Sequence, residues 1–181
     1  MKTALDDKLL MPNLDLPISK EDFLKLVKEN NNKVHTREIG KREFIQISHK
    51  IFFIESPGYS LEGPSQQIKY VTIIPSFDNT GFLKSQQIML DELELSQSLS
   101  PGYDILEPFL ASSDWKLIKK EENPTIKGLE GRNGKYLLEN ESIGLILIYN
   151  EGRSLDFTSS QSRDFIINNK LFWDNWGRTE F

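Results

Sequence analysis

The acid-rich segment between Ser85 and Trp115 is the part of this chain whose residue types most clearly predict an interaction. It contains six carboxylates and no lysine, arginine or histidine, although charged residues of both signs are frequent elsewhere. A surface of one sign attracts partners of the opposite sign and repels nucleic acid over roughly a Debye length. We therefore predict a contact with a basic protein surface, made by Asp91, Glu92, Glu94, Asp104 and Glu107.

The aromatic tail, residues 171–181, is a second candidate contact region because it holds four aromatic side chains. Chain ends usually fray, so this density predicts that the tail is fixed against something. It either closes the protein's own core or anchors a partner. In the second case the contact comes from Trp173, Trp176 and Arg178, since Trp and Arg are the commonest binding hot spots.

The two histidines, His35 and His49, give little support for catalysis or metal binding. No H-x-H or H-E-x-x-H spacing is present, and the chain has no cysteine to supply a thiolate ligand or nucleophile. His49 could act as a general base only with a carboxylate from a distant part of the chain. We therefore predict no catalytic residue, no metal ligand and no cofactor, and we expect His49 to be structural or exposed.

The elements that position these residues begin with one helix and two strands. Ser19 is placed as the N-cap of a helix that ends near Glu29, where three asparagines favour termination. Residues 43–54 are rich in β-branched and aromatic side chains and predict a long strand. Residues 70–74 predict a second strand, which Pro75 ends.

Residues 56–64 contain two prolines and two glycines and predict an exposed loop. From Phe82 to about Ser98, good helix formers and spaced leucines predict a helix. Such a helix would place Asp91 and Glu94 on one outer side. A shorter helical piece is predicted to follow over residues 100–110.

The last third of the chain predicts strands and then a helix. Strands are expected over residues 115–118 and 135–138, followed by a hairpin formed by residues 143–149 and 154–157. The final helix opens near Ser160. It is expected to direct four apolar side chains toward the core, namely Phe165, Ile166, Ile167 and Leu171.

This order of elements favours an α+β fold: a single domain over residues 1–181, mainly an antiparallel sheet with flanking helices. Residues 1–17 form an extended leader in this interpretation. A chain of 181 residues is long enough to bury one sizeable core.

Charge and hydropathy restrict the partners. Residues 1–90 carry 12 basic and 11 acidic side chains, and residues 91–181 carry 10 and 16, for a net charge of −5. This balance disfavours nucleic-acid binding, which needs clustered lysine and arginine. The longest apolar run, residues 145–149, is far shorter than a membrane span. Asp6 and Asp7 interrupt the apolar stretch that a secretion signal needs, so we expect a soluble, cytoplasmic protein.

The leading functional hypothesis is a non-enzymatic protein-binding module of the inhibitor, immunity-protein or chaperone and adaptor type. It would recognise a protein partner through the acid-rich segment, the aromatic tail or a sheet edge. The alternative is a small-ligand-binding or hydrolytic enzyme with a pocket in a curved sheet, in which His49 and one carboxylate form an acid–base pair. A concave pocket in which His49 and a carboxylate converge within hydrogen-bond reach would favour that alternative, and a His49 that points to solvent would weaken it.

Overall fold

The structure is a computed structural model, and it describes residues 4–53, 67–89, 106–121, 134–150 and 154–174. Within these ranges the chain forms one eight-stranded antiparallel sheet with short helices packed on its faces. The predicted α+β class with a mainly antiparallel sheet is therefore confirmed.

The eight strands are β1 (Lys33–Ile39), β2 (Arg42–Phe53), β3 (Gln67–Phe77), β4 (Leu83–Met89), β5 (Lys116–Glu121), β6 (Lys135–Asn140), β7 (Leu145–Asn150) and β8 (Ser154–Ser159). Their order across the sheet is β1-β2-β3-β4-β8-β7-β6-β5. Two four-stranded meanders therefore meet at the pairing of β4 with β8, and β1 and β5 are the two edges.

The first helix, α1, spans Lys20–Glu29 and begins and ends where the sequence predicts. Its N-cap is Ser19, whose hydroxyl accepts a hydrogen bond from the backbone N–H of Asp22 at 3.1 Å. The helix buries Phe23 and Val27 against the sheet. The chain then turns through Asn31, which adopts a positive φ of 57°.

The long strand predicted over residues 43–54 is confirmed as β2, and β1 precedes it in a hairpin that the sequence does not predict. Ile39 pairs with Arg42, so the loop has two residues, of which Gly40 has a φ of +65°. A positive φ at the first loop position suits a tight turn whose twist matches that of the strands.

The strand predicted over residues 70–74 is longer than expected, because β3 continues through Pro75. The pairing of β2 with β3 extends only to Ile47 with Ile73, whereas Pro75 pairs with Gln86 of β4. Proline is tolerated at such a place because its missing N–H is not needed for the β2 ladder.

The prediction of a helix from Phe82 is wrong for residues 83–89, which form β4 between β3 and β8. Leu83, Gln86 and Ile88 face the main core. The lysine, glutamine and methionine of this segment favour a helix in isolation, but pairing on both sides determines the outcome. Residues 90–105 lie outside the described residues.

The predicted strands of the last third are confirmed as β5 and β6, and the predicted hairpin is confirmed by the pairing of β7 with β8. Three short helices accompany them: α2 (Glu107–Ala111), α3 (Arg163–Asn168) and α4 (Lys170–Asp174). The helix expected after Ser160 is thus divided into α3 and α4, preceded by a 3₁₀ turn over Ser160–Ser162.

Two apolar clusters lie on opposite faces of the sheet. The larger one, on the face we call the inner face, receives α1, α2 and the leader, whose Leu9, Leu10 and Met11 are buried. The leader is therefore part of the core, and it contains two 3₁₀ turns, Ala4–Asp6 and Met11–Asn13, where an extended segment was expected.

The smaller cluster lies on the outer face, where α3 and α4 cover part of β6 and β7. It contains Leu137, Ile146, Ile148 and Trp173. Ile166 and Ile167 pack against it as predicted, but Phe165 and Leu171 do not, since they are 73% and 81% exposed. The two helices instead direct Ile166, Ile167, Phe172 and Trp173 toward the sheet.

Candidate functional site

The acid-rich contact predicted from the sequence falls mostly outside the described residues. Asp91, Glu92, Glu94 and Asp104 are all outside them, and Glu107 is the first residue of α2, where its side chain is not described. Because residues 83–89 form a strand, the helix that would align Asp91 with Glu94 does not begin at Phe82. The basic partner surface stays a prediction.

The aromatic tail is described as far as Asp174, so Trp176 and Arg178 lie outside the described residues. Trp173 is 4% exposed, and its indole N–H donates to the carbonyl of Ile166 at 2.8 Å. The ammonium of Lys119 lies 4.3 Å from the centre of its ring. The Trp173 ring therefore closes the protein's own outer cluster, which is the first of the two alternatives for the tail.

His49, which was expected to be structural or exposed, joins a clasp with Asp7 and Asn32. Its Nε2 lies 2.8 Å from Oδ2 of Asp7, and its Nδ1 lies 3.0 Å from Oδ1 of Asn32. The side chains of His49 and Asp7 are only 11% and 12% exposed. The clasp joins the leader, the turn after α1 and the middle of β2.

The hydrogen bonds of the clasp argue against the acid–base role considered for His49. Asn32 donates from Nδ2 to the carbonyl of Asn30, which leaves its Oδ1 facing the imidazole. Both ring nitrogens of His49 are thus engaged by oxygen atoms of its own chain. A histidine that exchanges a proton directly with a substrate must present one nitrogen to it, and the two partners in the clasp occupy both. The clasp instead fixes three distant segments, and no local pattern could have identified Asp7 and Asn32 as its members.

A second polar group, which we call the acceptor cluster, lies on the outer face at the junction of the two meanders. It consists of Gln87, Asn150, Ser154 and Asp156. Asp156 pairs with Gln87, and Ser154 pairs with Asn150, so the four side chains occupy neighbouring positions on one face. Nδ2 of Asn150 lies 3.3 Å from Oγ of Ser154, which lies 3.1 Å from Oδ2 of Asp156.

Burial raises the pKa of the Asp156 carboxyl group from 3.8 to about 7. Hydrogen bonds from Ser154 and Gln87 favour the charged form but do not offset the desolvation. No lysine or arginine among the described residues forms an ion pair with Asp156. Each member of this cluster is an ordinary residue in isolation, so the sequence carries no local signal for the site.

The two edges of the sheet differ in regularity. β1 pairs with β2 without interruption over seven residue pairs, whereas the register of β5 against β6 shifts between Leu117 and Lys119. A bulge of this kind disturbs the row of backbone groups that an added strand would need. β1 is therefore the more regular edge.

The backbone polarity of β1 follows from its two-residue hairpin loop. Such a loop places Ile39 and Arg42 in a hydrogen-bonded pair, and hydrogen-bonded and non-hydrogen-bonded pairs alternate from there. The N–H and C=O groups of Val34, Thr36 and Glu38 therefore point to the free edge. Outside β2, no backbone group in the described parts of the chain hydrogen-bonds to β1.

No metal site and no membrane-spanning helix is found where the structure is described. Within the described ranges, no group of three or more histidine and carboxylate side chains could bind a metal ion. None of the helices in those ranges is long and apolar enough to cross a bilayer.

Comparison with family models, curated proteins and solved structures finds no match to this chain.

Proposed function

We propose that this protein is a protein-binding module that receives an extended segment of its partner at the free edge of β1. The observation that carries the proposal is the unbroken edge itself: seven residues in regular register with β2, of which six are exposed. Strand addition to such an edge is a common mode of peptide recognition, in which backbone hydrogen bonds supply affinity and alternate side chains supply specificity.

The side chains of β1 indicate which segment would fit. Val34 packs against the main core, so the alternation of a strand places Lys33, His35 and Arg37 together on the outer face. An added strand with Asp or Glu at the positions facing these residues would gain cross-strand charge pairing. The partner segment is accordingly an acidic strand with β-branched residues beside Val34 and Thr36.

The acid-rich segment predicts a separate contact, with a basic surface of the partner, through Asp91, Glu92, Glu94, Asp104 and Glu107. Trp176 and Arg178 stay in the proposal as contacts from the tail. The cytoplasmic location expected from the sequence also belongs to this proposal.

An enzymatic alternative is not proposed, because both ring nitrogens of His49 are engaged within the clasp.

The edge can be tested with one substitution and one matched control. Thr36→Pro removes a backbone N–H that points to the free edge, and proline is tolerated on edge strands in that orientation. Thr36→Val keeps the N–H and serves as the control. Affinity capture from a lysate of the source organism should recover a stoichiometric protein with wild type and Thr36→Val, and lose it with Thr36→Pro.

Circular dichroism and urea unfolding of both variants must first show that the fold is intact. Equal capture by Thr36→Pro would contradict docking at β1. Capture of no protein at low or high salt would contradict the binding-module proposal itself. An Asp91→Lys/Glu94→Lys variant tests the acid-rich segment in the same experiment, since a basic partner surface should associate more slowly with it.

A further inference from the structure

The side-chain amide of Asn150 is buried with one of its two polar ends unsatisfied. Asn150 is 3% exposed, and its Oδ1 accepts no hydrogen bond from the described residues, although its Nδ2 donates to Ser154. A buried acceptor without a donor is uncommon and destabilising, because it has lost its water without replacement.

The orientation of that amide is fixed by its neighbour. Ser154 has one hydroxyl hydrogen, which it donates to Oδ2 of Asp156, so its oxygen must accept from Asn150. If the amide were rotated by half a turn, its Oδ1 would face the Ser154 oxygen, and neither atom would have a hydrogen to donate. The open position of Asn150 is therefore an acceptor.

A second open acceptor lies beside it. The ionised Asp156 carboxylate can accept about four hydrogen bonds. Ser154 and Gln87 each donate to it, so it can accept more. No cation of the described residues pairs with it. Two neighbouring groups on one face of the sheet can thus accept further hydrogen bonds: Asn150 Oδ1, which has no donor among the described residues, and the Asp156 carboxylate, which has two donors and a negative charge.

We propose that the acceptor cluster binds a primary ammonium group, which donates N–H hydrogen bonds to Oδ1 of Asn150 and to the carboxylate of Asp156. An ammonium group carries three donors, no acceptor and the opposite charge, so it matches both open positions. A divalent metal ion is a poorer match because calcium takes six to eight oxygen ligands and the cluster has one carboxylate.

The ammonium group at the strand position opposite Asn150 is engaged elsewhere. Lys135 is the cross-strand neighbour of Asn150, but its Nζ contacts the carbonyl of Phe172 and lies 4.6 Å from the centre of that ring. The more exposed side of the cluster is that of β4 and β8, where Asp156 is half-buried and Met89, which pairs with Ser154, is 39% exposed. The ligand of this proposal is an ammonium group from outside the chain, either a free amine or a lysine of a partner protein.

The test is a titration of the full chain at pH 8 with ethylammonium chloride, against tetramethylammonium chloride at equal ionic strength. The tetramethyl ion has the same charge and no N–H donor, so only ethylammonium should raise the melting temperature in a saturable manner. The same titration followed by NMR should shift the side-chain amide signal of Asn150. Nα-acetyl-lysine methylamide, as a third probe, represents a protein source: tighter binding than ethylammonium would identify a partner lysine, and equal or weaker binding a free amine.

Two aspartate variants make the assignment specific. Asp156→Asn removes the charged acceptor and should abolish the saturable shift, whereas Asp164→Asn removes an equal charge from a side chain that is 79% exposed and should leave it unchanged. If Asp156→Asn does not fold, the Asn150 amide signal of the wild type decides the question. Equal responses to the two ammonium ions, or no response to either, would overturn the proposal.

Discussion

The clasp and the acceptor cluster are two polar groups on opposite faces of one sheet, and they differ in whether their hydrogen bonds are complete. In the clasp, Asp7 and Asn32 engage both nitrogens of His49. In the acceptor cluster, Asn150 has an open oxygen and Asp156 has no counter-charge among the described residues. A network whose polar atoms all face a partner fixes a fold, whereas one with an open acceptor can take a further partner. The same substitution in the two networks should therefore have opposite effects.

The largest effect is expected for Asp156→Asn. Because the pKa of Asp156 is raised from 3.8 to about 7, the folded protein binds this proton more tightly than the unfolded chain does. The resulting stability is fully present below pH 3.8 and is lost as the pH rises through about 7. This difference corresponds to about 4 kcal/mol at most.

Since the side chain of Asp156 is only half-buried, we expect Asp156→Asn to raise the free energy of unfolding by about 3 kcal/mol at pH 8. Urea unfolding between pH 4 and pH 8 should show a falling stability for wild type and a flatter profile for the variant. An identical slope for both proteins would contradict the burial of a charged Asp156.

Asp7→Asn should have the opposite sign. It replaces a carboxylate that is hydrogen-bonded to His49 at 2.8 Å, and hydrogen bonds to charged groups contribute about 2 kcal/mol. Urea unfolding at pH 8 should therefore show a loss of about that size. Asp15→Asn, at an exposed aspartate of the same leader, is the control and should change stability by less than about 0.5 kcal/mol.

The smallest effect is expected for Asn150→Leu. The substitution removes one weak hydrogen bond to Ser154, but it also removes a buried acceptor that has no donor. These contributions are of similar size, so the free energy of unfolding should change by less than about 1 kcal/mol. A loss of 2 kcal/mol or more, measured by urea unfolding, would show that the Asn150 amide is fully hydrogen-bonded in the folded protein.

The sequence predicts the parts of the fold that local patterns determine. The cap at Ser19 and the apolar residues that follow it define α1, and the β-branched run of residues 43–54 defines β2. The hairpin of β7 and β8 follows from the turn residues between them. In each case the deciding contacts lie within a few residues along the chain.

Long-range pairing accounts for the elements that the sequence does not predict correctly. β4 consists of helix formers but is held between β3 and β8, and β8 lies about 65 residues further along the chain. β1 is polar and becomes a strand by pairing with β2.

The candidate sites depend on long-range pairing even more strongly. Asp7 and His49 are 42 positions apart, and Asp156 meets Gln87 only through the pairing of β8 with β4.

The central position of β8 also determines when the sheet can be completed during synthesis. The synthesis of the first meander ends with β4, but the strand that covers the far side of β4 begins only at Ser154. At ordinary translation rates this interval lasts roughly 3–13 s. Throughout it, β4 presents unpaired backbone groups to neighbouring nascent chains. The synthesis of β8, the last strand along the chain, thus ends the period in which an incomplete chain can pair with another chain through β4.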